Sequence, residues 1–269
     1  MFLPIAYFNG SFTPLSEIHV APTDLGIQRG YSVFDFLKLI NYENPWADLY
    51  MQRLEKSCNL SGIPMPLSKD VIVQTAQALL KKNNLVDGYV KLIVSAGMSS
   101  NGFTPSGHST LLMLAMPISP RDDNIYQAGA SLMTSEYRRD LPEIKSTNYL
   151  HSANVMRTAK SGVVDVLYYF NEIITETSRC NFFIVKDGNI STPSHDILEG
   201  ITRRRLLDLK NVNIQCRKIY LSELSEADEA FISSTSKGVM PVTQIGTIAI
   251  GNGSVGTTTK NLMNEINRF

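Results

Sequence analysis

The chain has 269 residues, in which 25 lysines and arginines balance 25 aspartates and glutamates. A balanced charge provides no long-range field for a polyanion or an acidic bilayer, and no apolar run is long enough for a transmembrane helix, so we expect neither nucleic acid nor membrane binding. The three cysteines are far apart and form no metal-ligand pattern with the four histidines, which predicts no metal site and the reduced thiols of a cytoplasmic protein.

The N-terminal part of the chain predicts a small α/β domain. Its predicted elements are, in chain order, a first strand turning at Asn9-Gly10, a strand over 33–40, helices over 47–60 and 69–83, and strands over 89–95 and 110–116. In the strand over 33–40 we expect the acidic and basic members, Asp35 and Lys38, on one side. Strands, then helices, then strands predict an α+β unit.

A domain boundary is predicted where Pro117 to Asn124 combines two prolines with a charge cluster, which gives domains 1–118 and 124–269. Beyond it the patterns predict strands over 128–135, 164–170, 181–186, 212–219 and 229–233, and helices over 148–161, 201–209, 222–226 and 257–267. Gly251 to Gly256 matches the G-x-G-x-x-G pattern, but no further strand with an acidic residue follows it in this sequence. We interpret those glycines as a hairpin turn before the last helix.

Two residues indicate a chemistry. Lys145 lies in the run EIKSTNYL, and Glu176 opens the later run ETSRCNFFIV. A lysine amine condenses with an aldehyde to a Schiff base, and a carboxylate held against a pyridine nitrogen keeps that ring protonated and electron-withdrawing. A single lysine is far more often a solvated surface charge. The pair together suggests pyridoxal phosphate chemistry.

Two further segments could hold a phosphate group. Gly200 to Leu207 predicts a helix that starts after a glycine turn, with Thr202 as its cap or first-turn hydroxyl. The hydroxyl-rich loop from Ile232 to Gly238 follows a predicted strand and could hydrogen-bond phosphate oxygens. Each feature alone is more often an ordinary capped helix or turn. The histidines have no serine, cysteine or carboxylate partner at a recognisable spacing, so triad hydrolysis has little support.

Taken together, these segments resemble the class IV (fold type IV) pyridoxal phosphate enzymes, which comprise branched-chain aminotransferases, D-amino-acid aminotransferases and aminodeoxychorismate lyases. The resemblance runs from about Asp24 onward, and its ordered matches are DLGIQRGYSVFD from Asp24, QRL from Gln52, IKSTNYL from Ile144, ETS with NFF from Glu176, GIT from Gly200, and SST from Ser233 before Pro241-Val242. Six matches in order are much more specific than any one of them.

The resemblance implies a two-domain α+β fold like that of D-amino-acid aminotransferases, with a small N-terminal α/β domain and a larger C-terminal cofactor-binding domain. It implies pyridoxal 5′-phosphate as the cofactor and a homodimer with the active site near the interface. It assigns roles as follows: Lys145 carries the cofactor and moves the proton at the substrate Cα, Glu176 pairs with the pyridinium nitrogen, Arg53, Ile201, Thr202, Ser234 and Thr235 bind the phosphate, and Phe34, Lys38 and Tyr149 line the substrate site.

The substrate stays open, because this sequence departs from each branch of the family. It has Lys38 where branched-chain enzymes carry an arginine, it lacks the R-x-H trap of D-amino-acid aminotransferases, and it has Asp35 and Phe36 where the lyases commonly show threonines. We favour an aminotransferase that uses a branched-chain-like donor and 2-oxoglutarate; the alternative is a lyase that releases pyruvate and 4-aminobenzoate. Candidate anchors for the substrate carboxylate are Arg29, Lys38, Arg138 and Arg139. A non-catalytic binding protein would be favoured by loss of Lys145 or Glu176, and both are present.

Overall fold

The structure is a computed structural model in which residues 1–267 are described. The chain divides into two compact units. The first comprises Met1–Pro120 with the separate segment Ile144–Asn148, and the second comprises Arg121–Glu143 with the described residues from Tyr149 onward. The predicted domains are continuous in sequence, whereas the first unit includes the separate segment that carries Lys145. Residues 268 and 269, with which the second predicted domain ends, lie outside the described residues.

The first unit is built on a five-stranded antiparallel sheet in the order β2-β1-β5-β4-β3. Asn9 and Gly10 both have positive φ, which the tight hairpin between the first two strands requires. Its elements are β1 (Ile5–Phe8), β2 (Ser11–Pro14), a 3₁₀ turn (Leu15–Glu17), α1 (Leu25–Arg29), β3 (Ser32–Leu39), α2 (Ala47–Ser61), α3 (Lys69–Lys82), β4 (Gly88–Ser95) and β5 (Thr110–Pro117).

The two faces of this sheet differ in burial, because side chains alternate along each strand. Helix α2 contacts β3, and α3 contacts β1, β4 and β5, so one face is fully covered. Asp35 lies on that covered face with no exposed surface, whereas Lys38 lies with Phe34 on the half-buried face. The prediction that Asp35 and Lys38 share a side is therefore wrong. Residues three apart in a strand point to opposite faces.

The second unit is built on a ten-stranded mixed sheet in the order β11-β10-β9-β13-β14-β6-β7-β8-β12, with β15 paired to β14. The parallel pairs are β6 with β7, β6 with β14, and β10 with β11. Its elements are α4 (Asp123–Ala128), β6 (Ala130–Glu136), α5 (Leu150–Met156), β7 (Val163–Phe170), β8 (Ile173–Thr177), β9 (Asn181–Lys186), β10 (Asn189–Pro193), α6 (Ile201–Leu207), β11 (Ile214–Arg217), β12 (Ile219–Tyr220), a 3₁₀ helix (Leu221–Ser225), β13 (Glu229–Ser234), β14 (Gly238–Ile245), β15 (Ile248–Ala249) and α7 (Thr257–Ile266).

This second sheet has an apolar core on each face. Along β9, Phe182 and Ile184 pack into one cluster, whereas Phe183 and Val185 pack into the other with residues of α6 and α7. A central strand that is buried on both faces reads as a continuous apolar run rather than an alternating one. The run NFFIV after Glu176 therefore marks the centre of the sheet.

The helices and the two sheets of the described residues confirm the α+β class. Most predicted elements are confirmed with shifted ends. The glycines before α7 lie in a turn, with positive φ at Gly251 and Gly253, but this turn is not the predicted hairpin turn, because the hairpin between β14 and β15 turns at Gly246 and Thr247. The predicted helix over 148–161 is shorter, spanning Leu150–Met156. The sequence patterns missed β2, α1, α4, β8, β10 and β14. Among residues 1–267, no helix has the length and apolar character needed to cross a membrane.

Candidate active site

Lys145 is positioned by strand β3, which forms one edge of the first sheet. The Lys145 carbonyl accepts a hydrogen bond from the Phe34 backbone N–H at 2.8 Å, and Thr147 N–H donates to the Ser32 carbonyl at 3.1 Å. The Lys145 N–H in turn donates to Ser57 Oγ at 3.1 Å. The segment that carries Lys145 thus lies along β3 and forms an isolated antiparallel bridge between Ser146 and Val33, which fixes the position of the Lys145 Cα.

The ring of Phe34 lies beside two amines. Lys145 Nζ is 4.6 Å and Lys91 Nζ is 5.2 Å from the Phe34 ring centroid, so both are within cation–π distance. Burial lowers the pKa of the Lys91 amine. On the same half-buried face Phe36 stacks on Tyr89 with ring centroids 4.7 Å apart. The reacting-amine candidate therefore adjoins an aromatic surface with a second cation nearby.

Arg53 forms a buried ion pair with Asp35 within the first unit. Its Nε donates to Asp35 Oδ2 at 2.9 Å and its Nη2 donates to Oδ1 at 2.7 Å, which is a bidentate geometry. Asp35 has no exposed surface and also accepts from the Phe36 N–H at 2.6 Å. The guanidinium of Arg53 lies over the Tyr50 ring, 5.5 Å from its centroid. Asp35 thereby fixes the orientation of the predicted phosphate-binding arginine.

Glu176 lies at the end of β8 in the second unit, and its side chain is 6 % exposed. Arg139 donates to its Oε1 from Nε at 2.8 Å and from Nη2, and the backbone N–H of Leu198 donates to Oε2 at 3.0 Å. A buried carboxylate with donors on both oxygens is held in its ionised form. Glu176 is thus a fixed, negatively charged acceptor.

Tyr149 and Asp165 lie in the electrostatic surroundings of Glu176. Burial raises the pKa of Tyr149 to about 12, opposed by the nearby Arg139 and reinforced by Glu176 and Asp165, so its phenol stays neutral. Asp165 is fully buried and accepts from the hydroxyls of Ser178 and Thr177 and from Val166 N–H at 2.9 Å. This second carboxylate orders the turn that follows Glu176.

The two predicted phosphate segments meet around Asn181. Asn181 pairs in register with Ser233 of β13, and its Nδ2 donates to the Leu198 carbonyl at 2.8 Å. Gly200, the residue before α6, approaches so closely that an added Cβ would lie 2.1 Å from Asn181 Oδ1. Any larger residue there would force the Asn181 side chain to move. The start of α6, with Ile201 and Thr202, is thereby brought to the end of β13, where the Ser234-Thr235 loop begins.

Each unit therefore assembles a subset of the predicted site residues. The first brings together Phe34 and Lys145, and it places Lys38 on the same face of β3 as Phe34. The second connects Glu176 through Leu198 to Ile201 and Thr202, and through Asn181 to the loop that contains Ser234 and Thr235.

All three arginines considered as substrate anchors make contacts within the protein. Arg29 Nε donates to the Gly102 carbonyl, Arg138 pairs with Asp196 at 3.2 Å, and Arg139 pairs with Glu176. Sequence reasoning missed the pairing of Arg139 with Glu176, of Asp35 with Arg53, and the position of Lys91 beside Phe34. The alternation of the strand over 89–95 was a usable signal for Lys91, since it places Lys91 on the same face as Tyr89.

These residues suit pyridoxal phosphate. The cofactor needs an amine, an anionic partner for its ring nitrogen and donors for a phosphate, and the chain offers Lys145, an ionised Glu176, and the buried hydroxyl of Thr202 at a helix start. In addition, Ser233 Oγ is buried and has no hydrogen-bond partner among the described residues, at the end of the strand that enters the Ser234-Thr235 loop. A buried hydroxyl without a partner is unusual in a finished fold and fits a polar ligand nearby.

Comparison with known proteins gives a consistent result. The family model for amino-transferase class IV matches residues 32–245. A protein of Methanocaldococcus jannaschii described as "Putative branched-chain-amino-acid aminotransferase" is 30 % identical over 270 residues, covering 95 % of this chain and 93 % of its own. The D-alanine aminotransferase of Listeria innocua is 31 % identical over 269 residues, covering 95 % and 92 %. The crystal structure of the Escherichia coli branched-chain amino acid aminotransferase has a TM-score of 0.88 at 26 % identity, covering 97 % of this chain and 93 % of its own.

The fold and these similarities thus define a fold type IV, pyridoxal phosphate-dependent enzyme. The chain belongs to the class IV aminotransferase family. It is an aminotransferase.

Proposed function

We propose that this aminotransferase binds pyridoxal phosphate with Lys145 as the attachment residue and Glu176 as the partner of the ring nitrogen. The observation that carries the proposal is the hydrogen bond from Leu198 N–H to Glu176 Oε2. Leu198 lies two residues before Gly200. This bond holds the Glu176 carboxylate beside the short segment that leads from Leu198 into α6. Ile201, Thr202, Ser234 and Thr235 then hold the phosphate, together with Arg53 oriented by Asp35.

The bound cofactor supplies an electron-withdrawing ring that stabilises negative charge at the substrate Cα. The chain's own residues bind and orient the substrate and move the proton at its Cα. Lys145 Nζ accepts the Cα proton and returns it, and the backbone bonds of Lys145 to Phe34 and Ser57 limit where that amine can reach. Phe34 packs beside the amine and removes water from one side of it. Tyr149 contributes a neutral hydroxyl as a hydrogen-bonding group.

We propose a branched-chain L-amino acid as the donor and 2-oxoglutarate as the acceptor. The aromatic surface of Phe34, Phe36 and Tyr89 suits an aliphatic side chain, and the amines of Lys38 and Lys91 on the same face suit a carboxylate. The branched-chain relatives named above support this donor. A D-amino acid such as D-alanine is the second candidate, since the relative from Listeria innocua carries that activity in its name.

The attachment role is tested by reducing the cofactor-loaded protein with borohydride and measuring its mass after unfolding. We expect the native protein and Lys91→Ala to retain the cofactor mass, and Lys145→Ala to lose it. Lys91 is the matched control because its amine lies beside the same Phe34 ring. Retention of the cofactor by Lys145→Ala would refute the assignment.

The donor is tested by adding one amino acid at a time to the loaded protein and recording the cofactor absorbance, before 2-oxoglutarate is supplied. Conversion to the amine form of the cofactor by L-leucine, L-isoleucine or L-valine supports the proposal. Conversion by D-alanine alone supports the second candidate. No conversion by any amino acid, with pyruvate released from aminodeoxychorismate, would replace both with the lyase reaction.

We further propose that the protein forms a homodimer through an apolar patch of the first unit made of Ile27, Met98 and Phe103, all exposed. The loop that carries Met98 and Phe103 is held on α1 by a bridge between Asp24 and Met98 and by the bond from Arg29 to Gly102. An apolar patch on a fixed loop is typical of an interface. We expect light scattering to give the mass of a dimer for the native protein and of a monomer for Phe103→Asp. The control Val71→Asp, at an exposed position of α3, should remain a dimer. A monomeric native protein would refute this.

A cytoplasmic location is also proposed. It is supported by the free thiols of Cys58, Cys180 and Cys216. Cell fractionation with an antibody to the chain tests it.

A further inference from the structure

Arg139 and Glu176 form a closer and less exposed ion pair than two charged side chains on a protein surface usually form. Its Nε and Nη2 both donate to Glu176 Oε1, and Nη2 also donates to the Pro142 carbonyl. The two side chains are 18 % and 6 % exposed. Two donors on one carboxylate oxygen, shielded from water, make a strong charge-assisted contact. The third bond, to Pro142, fixes the guanidinium to its own turn.

The electrostatic consequence concerns the proton affinity of Glu176. A cation in contact with a carboxylate stabilises the ionised form relative to the protonated form. The Leu198 N–H on Oε2 acts in the same direction, since it too donates to the charged form. Both contacts therefore oppose protonation of Glu176.

Two neighbouring groups have contacts of their own. Asp165 is also a buried carboxylate, and Arg179 Nε lies 3.3 Å from its Oδ2. Tyr149 stays neutral because burial raises the pKa of its phenol to about 12. Arg179 thus contacts Asp165, whereas Arg139 contacts Glu176.

We propose that Arg139 is a positioning residue that keeps the proton shared by Glu176 and the cofactor on the ring nitrogen. The inference rests on the proposed role of Glu176. With the cofactor bound, Glu176 and the ring nitrogen would share a single proton: as the O–H bond of the acid broke, the N–H bond of the ring would form, and a neutral pair would become a carboxylate and a pyridinium. Arg139 favours the second form by stabilising the carboxylate. The protonated, electron-withdrawing form of the ring then predominates over the unprotonated form.

The experiment uses the native protein loaded with pyridoxal phosphate that carries ¹⁵N at the ring nitrogen, and it records the ¹⁵N chemical shift. We expect the shift of a protonated pyridine in the native protein and in Arg139→Lys, which retains the charge. In Arg139→Gln the resonance moves toward the shift of the unprotonated ring. The control Arg138→Gln, which removes the exposed pair with Asp196, leaves the resonance in place.

A protonated ring in Arg139→Gln would overturn the inference and leave the proposed function intact. An unprotonated ring in Arg139→Lys would also overturn it, because the charge would then not be the determinant; this variant keeps the test decisive if Arg139→Gln does not fold. An unprotonated ring in the native protein, or no bound cofactor, would instead refute the role proposed for Glu176.

Discussion

The buried pair of Asp35 and Arg53 allows a quantitative prediction about stability. Asp35 has no exposed surface, Arg53 is 9 % exposed, and two hydrogen bonds of 2.7 and 2.9 Å join them. Removing one member of such a pair leaves a buried charge without its bidentate partner, which costs about 3–5 kcal/mol. A guanidinium cannot give up its proton in proteins, so it cannot escape the penalty by becoming neutral. We therefore expect Asp35→Leu to lose about 3–5 kcal/mol of unfolding free energy.

The double variant Asp35→Leu with Arg53→Met separates the charge effect from packing. Replacing a whole buried ion pair with apolar residues of similar volume is often neutral. We expect the double variant to be more stable than Asp35→Leu, even though it carries one substitution more. The single variant Arg53→Met completes the double-mutant cycle, which gives the interaction energy between the two residues.

The assay is urea unfolding of the cofactor-free protein, so that phosphate binding by Arg53 does not contribute. The midpoint and slope of each variant give the change in unfolding free energy. A loss of less than about 1 kcal/mol for Asp35→Leu would contradict the reasoning, because that is the range of an exposed pair. A double variant less stable than Asp35→Leu would contradict it as well.

Three further predictions concern other parts of the chain. Gly200→Ala places a Cβ 2.1 Å from Asn181 Oδ1, an overpacking that costs about 1–3 kcal/mol of stability, and should weaken pyridoxal phosphate binding in a fluorescence titration. Gly253→Ala, whose Cβ has no neighbour within 4 Å, should leave that affinity unchanged. Equal affinities of the two variants would show that the close approach at Gly200 is not needed. In a thiol titration of the native protein, only the exposed Cys216 should react rapidly. Burial raises the pKa of the Cys58 thiol to about 12 and also raises the pKa of Cys180, so these two thiols stay protonated and react slowly. Fast labelling that persists in Cys216→Ser would contradict this. The pKa of the Tyr149 phenol rises from 10.0 to about 12 on folding, so the stability it contributes is fully present below pH 10 and is lost as the pH rises through about 12. Tyr149→Phe should therefore lose less unfolding free energy than the native protein between pH 10 and about 12. An equal loss in both proteins would exclude the contribution.

The sequence by itself determined much of the fold, because the deciding patterns are local. The alternation of β3, the helical spacing of α2 and α3 and the apolar run of β9 report burial directly. The ordered motifs around Lys145 and Glu176 indicated the family, which the comparisons confirm. The missed elements have weaker patterns: α1 has five residues, and β8 and β10 alternate little.

The tertiary structure decided the pairing of charges and the orientation of faces. Asp35 pairs with Arg53 across 18 positions, Arg139 with Glu176 across 37, and Lys145 with β3 across more than a hundred. No local period reports such contacts, because they depend on which strands and helices meet. The sequence therefore specified which residue types were available for catalysis, and packing specified which charge each of them would face. That is why Arg139 was a candidate substrate anchor from the sequence and is a partner of Glu176 in the structure.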